Sequence, residues 1–323
     1  MRHLKGKLTG LAIAAAVSCQ LAMAGGAAAQ TQWPSQPVKV IVPYSAGGGS
    51  DAMARIFQRA AGEDALLDAP LVIQNVGGAG GRTGSRQAMD AEPDGYTFLS
   101  NHLTLMTGEA TGVADFGYRD FEPVAATGAV CMVVAVPAAS PYGTLEELLA
   151  AAVDERLVYG ANLGALNHMA GIALQNTQEG ARFNFVQIGG DTENLVALMG
   201  NVTQAGGMST AQYRASEGSE VRGLAVLADE REPSLPDLPT AAEQGFDADF
   251  CFEYWWFAPK GTPQAAIDGM ADFLQAAMDS PAVKKVLAER SVRPVFRRGE
   301  EFKRFLDAQW ERIVPLAQQA TGG

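Results

Sequence analysis

Along the chain, segments that are apolar at consecutive positions alternate with segments that are apolar at every third or fourth position. The first kind predicts strands over 38–44, 70–75, 96–101, 129–137, 156–162, 183–188, 221–228 and 251–258. Strands buried on both faces carry such unbroken apolar runs. The second kind predicts helices over 51–61, 82–91, 144–153, 166–178, 191–200, 264–278, 281–290 and 299–318. In the first of these, Met53, Ile56, Phe57 and Ala60 fall on one face. Thr144 and Glu147 have capping-box spacing, and Thr262-Pro263 and Ser280-Pro281 each set a cap residue before a first-turn proline. The alternation predicts an α/β chain with mostly parallel sheets flanked by helices. Two stretches interrupt it, 120–129 (DFEPVAATGA) and 229–250 (DEREPSLPDLPTAAEQGFDADF). A chain that leaves one lobe and later returns to it needs two such transitions.

The first 29 residues fit neither pattern. A basic start (Arg2, Lys5, Lys7) leads into an apolar, alanine-rich core, and Ala27-Ala28-Ala29 has the small-x-small cleavage pattern. This predicts a secretory signal removed to leave Gln30, with Ala22-Met23-Ala24 as a second site. An uncleaved anchor and a lipoprotein at Cys19 are the alternatives; the core is short for a span and the leucine usual before a lipidated cysteine is missing. Loss of the leader takes the formal net charge from -12 to -15, since no acid precedes Asp51. Such a surface repels phosphate backbones and anionic lipid, so nucleic-acid and polybasic membrane functions are excluded, and an anionic ligand has to be recognised locally. Cys131 and Cys251 remain after cleavage. They lie in apolar strand-like runs where buried free thiols are common, and an oxidising compartment also lets them pair.

Chemistry concentrates where predicted strands end. In VPYSAGGGSDAMAR (42–55) a buried strand runs through Tyr44, Ser45, Ala46, Gly47, Gly48 and Gly49 into a helix near Ser50 and Asp51. Three glycines leave backbone N–H groups unobstructed, and the helix N-terminus adds partial positive charge, so the turn suits a carboxylate; the alternative is a tight turn that binds nothing. NVGGAGGRTG (75–84) lacks the dinucleotide spacing and reads as a turn for close helix–sheet packing. In YGANLGALNHMAG (159–171), Asn162, Gly164, Ala165 and Asn167 offer donors, while His168 reads as a cap or packing residue. In QIGGDTENL (187–195), Gly189 and Gly190 precede Asp191, which reads as the helix cap. Open α/β sheets place ligands at these strand ends. Catalytic parts are missing: His102 and His168 are the histidines beyond the leader, no Gly-x-Ser-x-Gly occurs, and no His/carboxylate cluster has metal spacing. No cofactor or metal is expected. A hydrolase using Ser50 or Ser45 is the enzymatic alternative. The run Tyr254-Trp255-Trp256-Phe257 reads as core.

Taken in order, the segments resemble the solute-binding proteins of tripartite tricarboxylate transporters, the Bug-type receptors. The resemblance rests on WPSQPVKVIVPYSAGGGSDAMAR, VIQNVGGAGGRTG, EPDGYTFL, VAVPAASPYGTLEELL, YGANLGALNHMAGIAL, LPDLPTAAEQGF and FAPKGTP, and covers nearly the whole mature chain. It implies a two-lobed periplasmic-binding-protein (Venus-flytrap) fold, with lobe 1 at 30–125 and 251–323 and lobe 2 at 126–250. It also implies a periplasmic receptor, not an enzyme, acting alone to deliver a small organic acid to membrane permease subunits. A ligand-presenting sensor of the same fold is the alternative. Tyr44 to Asp51 would form one wall of the cleft and Asn162 to Asn167 the other, with Gly190 and Asp191 beside it and Asn101 as a further contact. Many members carry Pro-Tyr-Lys/Arg-Gly where this chain has Gln187-Ile188-Gly189-Gly190, so the cation beside the cleft is absent here.

Overall fold

A computed structural model describes residues 33–216 and 218–321. The leader, its cleavage sites and Cys19 lie outside these residues. In chain order the strands are β1 (Val38–Val42), β2 (Leu71–Asn75), β3 (Thr97–Asn101), β4 (Phe121–Pro137), β5 (Leu157–Ala161), β6 (Phe183–Gln187), β7 (Ala205–Ser209), β8 (Val221–Val226), β9 (Cys251–Pro259) and β10 (Arg293–Arg298). The helices are α1 (Gly49–Gly62), α2 (Arg82–Met89), α3 (Thr104–Ala110), α4 (Leu145–Asp154), α5 (Leu166–Gln175), α6 (Asp191–Met199), α7 (Thr210–Ala215), α8 (Gln264–Asp279), α9 (Pro281–Glu289) and α10 (Gly299–Thr321).

The strands form two sheets that share β4. One runs β2-β1-β3-β9-β4-β10 and the other β8-β4-β7-β5-β6. β1, β2 and β3 are mutually parallel, as are β5, β6 and β7, so the connecting helices all start at one end of each sheet. The strands around them run antiparallel. Each sheet is therefore mixed rather than mostly parallel, because β4 and β9 must cross between lobes and come back.

β4 also corrects the transition read at 120–129. That stretch lies inside a 17-residue strand, disguised by Pro123 and by Gly128 at φ +64°. Register shifts at Pro123/Ala125 and Thr127/Ala129 absorb them as bulges. The passage between sheets comes later: through Cys131 the strand pairs with β9, and from Met132 onward with β7 and β8. Return follows the segment after β8, where Met132 N–H donates to Phe250 O and Leu227 N–H to Met132 O. Cys131 and Cys251 face each other across the last β4–β9 pair and are joined by a disulfide. Arg293 of β10 places Nη2 2.8 and 3.2 Å from the two sulfurs, and Arg312 of α10 donates to Cys251 O and Asp249. The hinge is thus held covalently, with two arginines of lobe 1 against it.

β9 carries the core of lobe 1. Trp255, Trp256 and Phe257 are fully buried, as expected, with Trp256 Nε1 donating to Thr127 Oγ1. β7 and β10 are less apparent in the sequence. β7 is Ala-Gly-Gly-Met-Ser, and its glycines are steric: a Cβ on Gly207 would lie 2.8 Å from Tyr159 Oη. β10 is an arginine-rich edge strand.

Candidate functional site

The α1 end of lobe 1 is set by the 42–55 segment. β1 ends at Val42, and the chain turns through Gly47 at φ +88° into α1. Asp51 Oδ2 accepts the Gly47 N–H at 2.8 Å and the Arg55 Nε–H at 3.0 Å. Arg55 reaches Asn75 Oδ1, and Asn75 Nδ2 donates to Tyr44 O, which closes a ring around the loop. Burial pushes the Asp51 carboxyl up, but the bonds from Arg55, Gly47 and Asn75 outweigh it and hold the group below the usual carboxylate range. Asp51 is therefore a buried brace of the loop. Tyr44 stacks flat on His102, ring centroids 5.0 Å apart, and donates to Asn101 Oδ1 at 2.8 Å. Asn101 is itself buried: it also accepts from His102 N–H and donates to Ser85 Oγ. It orients Tyr44 from behind the wall. The second glycine segment supports the first, since a Cβ on Gly81 would lie 3.1 Å from the Tyr44 ring and one on Gly84 2.5 Å from Val76 O.

Lobe 2 builds its wall differently. Asn162 N–H donates to Asn167 Oδ1, Leu163 N–H to Gln187 Oε1, Gly164 N–H to His168 Nδ1 and Ala165 N–H to Asn162 O. These amides are spent inside the loop. Asn167 Nδ2 then donates to Gly189 O, tying the loop after β5 to the loop after β6. His168 packs edge-on against Phe185, and burial lowers its pKa. Because Nδ1 accepts a hydrogen bond, the neutral ring carries its proton on Nε2. The cap of α6 is Gly190, not Asp191. Asp191 is the first helical residue, and its carboxylate accepts Ser209 N–H and Oγ–H; burial pushes it up against those bonds. Likewise Pro263, not Thr262, caps α8, because the Thr262 hydroxyl donates back to Pro259 O.

What both walls leave open is the first turn of a helix. The N-caps of α1, α5 and α6 are Gly48, Ala165 and Gly190, none with a side-chain cap. The amides of Gly49 to Asp51, Leu166 to His168 and Asp191 to Glu193 find no acceptor among the described residues. Thr144, Ser209 and Ser280 cap their helices by accepting from the third amide on, whereas α2, α3 and α8 start from Gly81, Leu103 and Pro263 and also lack a side-chain cap. Tyr254 stands beside the start of α1. Its hydroxyl lies against Gly49, and burial, then the charge of Asp191, pushes its pKa up while Arg290 opposes them.

The model of the tripartite tricarboxylate transporter family receptor matches residues 53–321. The chain belongs to that family. It is 29% identical to the protein BugT of Bordetella pertussis over 89% of this chain and 90% of BugT. It is 30% identical to a UPF0065 protein from the tcbD-tcbE intergenic region of Pseudomonas sp. strain P51, over 88% of this chain and 86% of that one. Among solved structures it resembles R. palustris Rpa4515 with adipate (TM-score 0.79, 25% identity, 89% of this chain and 98% of that one). It also resembles periplasmic binding protein BugD (TM-score 0.75, 25% identity, 89% and 98%). The receptor fold is two-lobed, and its members are solute-binding proteins. Among the described residues, no helix is long and apolar enough to cross a membrane and no group of His, Cys, Asp or Glu is placed to hold a metal.

Proposed function

We propose that this receptor is exported, cleaved near Ala29, and captures a small organic carboxylate between its lobes for delivery to the permease subunits of a tripartite tricarboxylate transporter. The single observation that carries the reading is the set of three uncapped helix N-termini at the strand ends of the two lobes. Bare first-turn amides are donors aimed at an anion, and their bonds to a carboxylate are charge-assisted and short. The adipate bound by Rpa4515 supports the ligand class. On this reading the ligand is held by amides of Gly49, Ser50, Leu166, Asn167 and Thr192. Asp51, Asn101, Asn162, Gly164, Ala165 and Asp191 shape the walls, and Tyr44 to Gly48 form the lip. Lobe 1 spans 33–131 with 251–321 and lobe 2 spans 132–250. On this reading the receptor acts as a monomer and binds its solute without chemistry, in line with its membership of a receptor family.

Closure would exclude water and strengthen every amide contact, so the ligand biases an open–closed equilibrium through bonds made only when closed. Calorimetry of the refolded, ligand-free chain from Gln30 with lactate, succinate, adipate, citrate and benzoate tests this. Binding of at least one acid is expected; tight binding of a sugar or a metal ion with none of the acids overturns it.

A further inference from the structure

Tyr254 is a polar side chain of the cleft that the internal hydrogen-bond network leaves idle. It stands on β9 next to the hinge, opposite Thr127, and is only 5% exposed. Its ring is wedged between Phe252 (centroids 5.9 Å, 67°) and His102 (6.5 Å, 82°), so the hydroxyl has little freedom to move. That hydroxyl lies at the N-terminus of α1: a Cβ placed on Gly49 would be 3.3 Å from it. Among the described residues it has no hydrogen-bond partner. Other tyrosines are engaged, Tyr44 with Asn101, Tyr118 with Asp307 and Tyr213 with the Gly223 N–H. Tyr159 also lacks a partner, but it is sealed at 0% exposure in the aromatic core of lobe 2. Unlike the sealed Tyr159 Oη, the Tyr254 hydroxyl keeps contact with solvent, so the small exposed part of this otherwise buried side chain is a free phenol donor beside bare helix amides.

We propose that Tyr254 is a specificity-determining residue, whose hydroxyl joins the Gly49 and Ser50 amides in a three-donor grip on one ligand carboxylate at the lobe-1 end of the cleft. This rests on the carboxylate reading above and adds a side chain to it. Two charges act on this phenol. Arg290, exposed at the end of α9 with no carboxylate partner among the described residues, acts on this phenol from lobe 1. Asp191 acts on it from lobe 2.

The test is Tyr254→Phe, which keeps the ring packing, titrated with adipate, benzoate and benzamide beside the unmodified protein. The expected result is loss of about tenfold or more in affinity for the acids, the size of a hydrogen bond to a charged group, with the thermal midpoint held or raised. The preference for benzoate over benzamide should shrink, which a merely structural role would not cause, since that weakens both alike. Acid affinity within twofold of the unmodified protein overturns the proposal and leaves the carboxylate reading standing. If the unmodified protein binds none of the five acids above and binds a sugar or a metal ion tightly, both readings fall; if it binds another acid of that panel instead, the same comparison is made with that acid and its amide. Asp191→Asn separates a remaining mechanism: if the phenol only latches onto Asp191 on closure, the double variant loses no more than either single one, and the proposal falls. Multiplying losses support it.

Discussion

In lobe 1 the loop before α1 is braced by a charge, the Asp51 carboxylate taking the Gly47 N–H and the Arg55 guanidinium. In lobe 2 the loop before α5 is braced by neutral amides: Asn167 accepts from Asn162 N–H of its own loop and donates to Gly189 O, and Gln187 at the end of β6 accepts from Leu163 N–H and donates to Asn162 Oδ1. Both solutions leave the same product, a helix whose first amides are bare. The difference shows that the shared feature is the open N-terminus and not any particular brace. It also means that the two walls should fail under different perturbations, and this makes the comparison breakable.

The largest effect is expected from obstructing the lobe-1 amides without touching the brace. Gly48 has extended backbone at φ -77°, and a Cβ there would meet nothing nearer than Ser45 O at 3.6 Å. Gly48→Val should therefore fold normally and bind no acid detectably in calorimetry; retained affinity would show that α1 is not the anion end. Next is the hinge between the walls. The disulfide closes a separation of 120 residues, and its removal by paired Cys131→Ala and Cys251→Ala should lower stability by about 2–4 kcal/mol in urea unfolding. A change under 1 kcal/mol would mean that the arginines and the β4–β9 ladder hold the hinge unaided.

The braces themselves come third. Asp51→Asn leaves Arg55 without its charge partner; because Arg55 is 41% exposed, solvent screens much of that loss, and we expect about 1–2 kcal/mol with weaker ligand binding. Asn167→Leu removes both bonds that tie the lobe-2 loops and should lose about 1–3 kcal/mol. High salt should narrow the Asp51 effect and leave the Asn167 effect unchanged. Equal salt response would erase the distinction between a charged and a neutral brace.

Much of this arrangement was legible beforehand because the ligand side of each sheet is built from local signals. Apolar runs gave β1, β3, β5 and β6, and glycine turns marked where they end. What was hidden depended on long-range partners. Pro123 and Gly128 made β4 look broken, since bulges are visible only against the β9 register. Gly207 of β7 answers to the Tyr159 hydroxyl, more than 40 residues earlier in the chain, and Gly206 to Asn194 of α6. Asn101 and Asp51 looked like ligand contacts because polar residues at strand ends usually point outward; here both turn inward to satisfy neighbours. The pairing of Cys131 with Cys251 required knowing that β4 and β9 are adjacent. Tyr254 was concealed in an aromatic run whose other members are core, and strand alternation alone does not say which face meets the cleft.

The smallest effect separates the walls by pH. Burial pushes the His102 pKa in lobe 1 down to about 3 from 6.5, and lowers that of His168 in lobe 2. Both rings accept on Nδ1, from Thr104 and from the Gly164 N–H, so protonation there breaks a hydrogen bond as well as burying a charge. With the folded pKa below the unfolded one, the unfolded chain binds more protons as acidity rises. This stability is complete above pH 6.5 and falls as pH drops toward the folded values. At pH 5.5 the His102 share of the loss is about 1.4 kcal/mol. The two rings are distinguishable because only His168 touches a loop amide of the binding wall. His102→Phe should flatten the pH dependence of unfolding while leaving that of acid binding in place. His168→Gln, which keeps a polar group near Gly164, should flatten both. If His102→Phe alters the pH profile of affinity as much as His168→Gln does, the aromatic plate behind Tyr44 is part of the lobe-1 grip, and the wall braced by charge is the more pH-sensitive of the two.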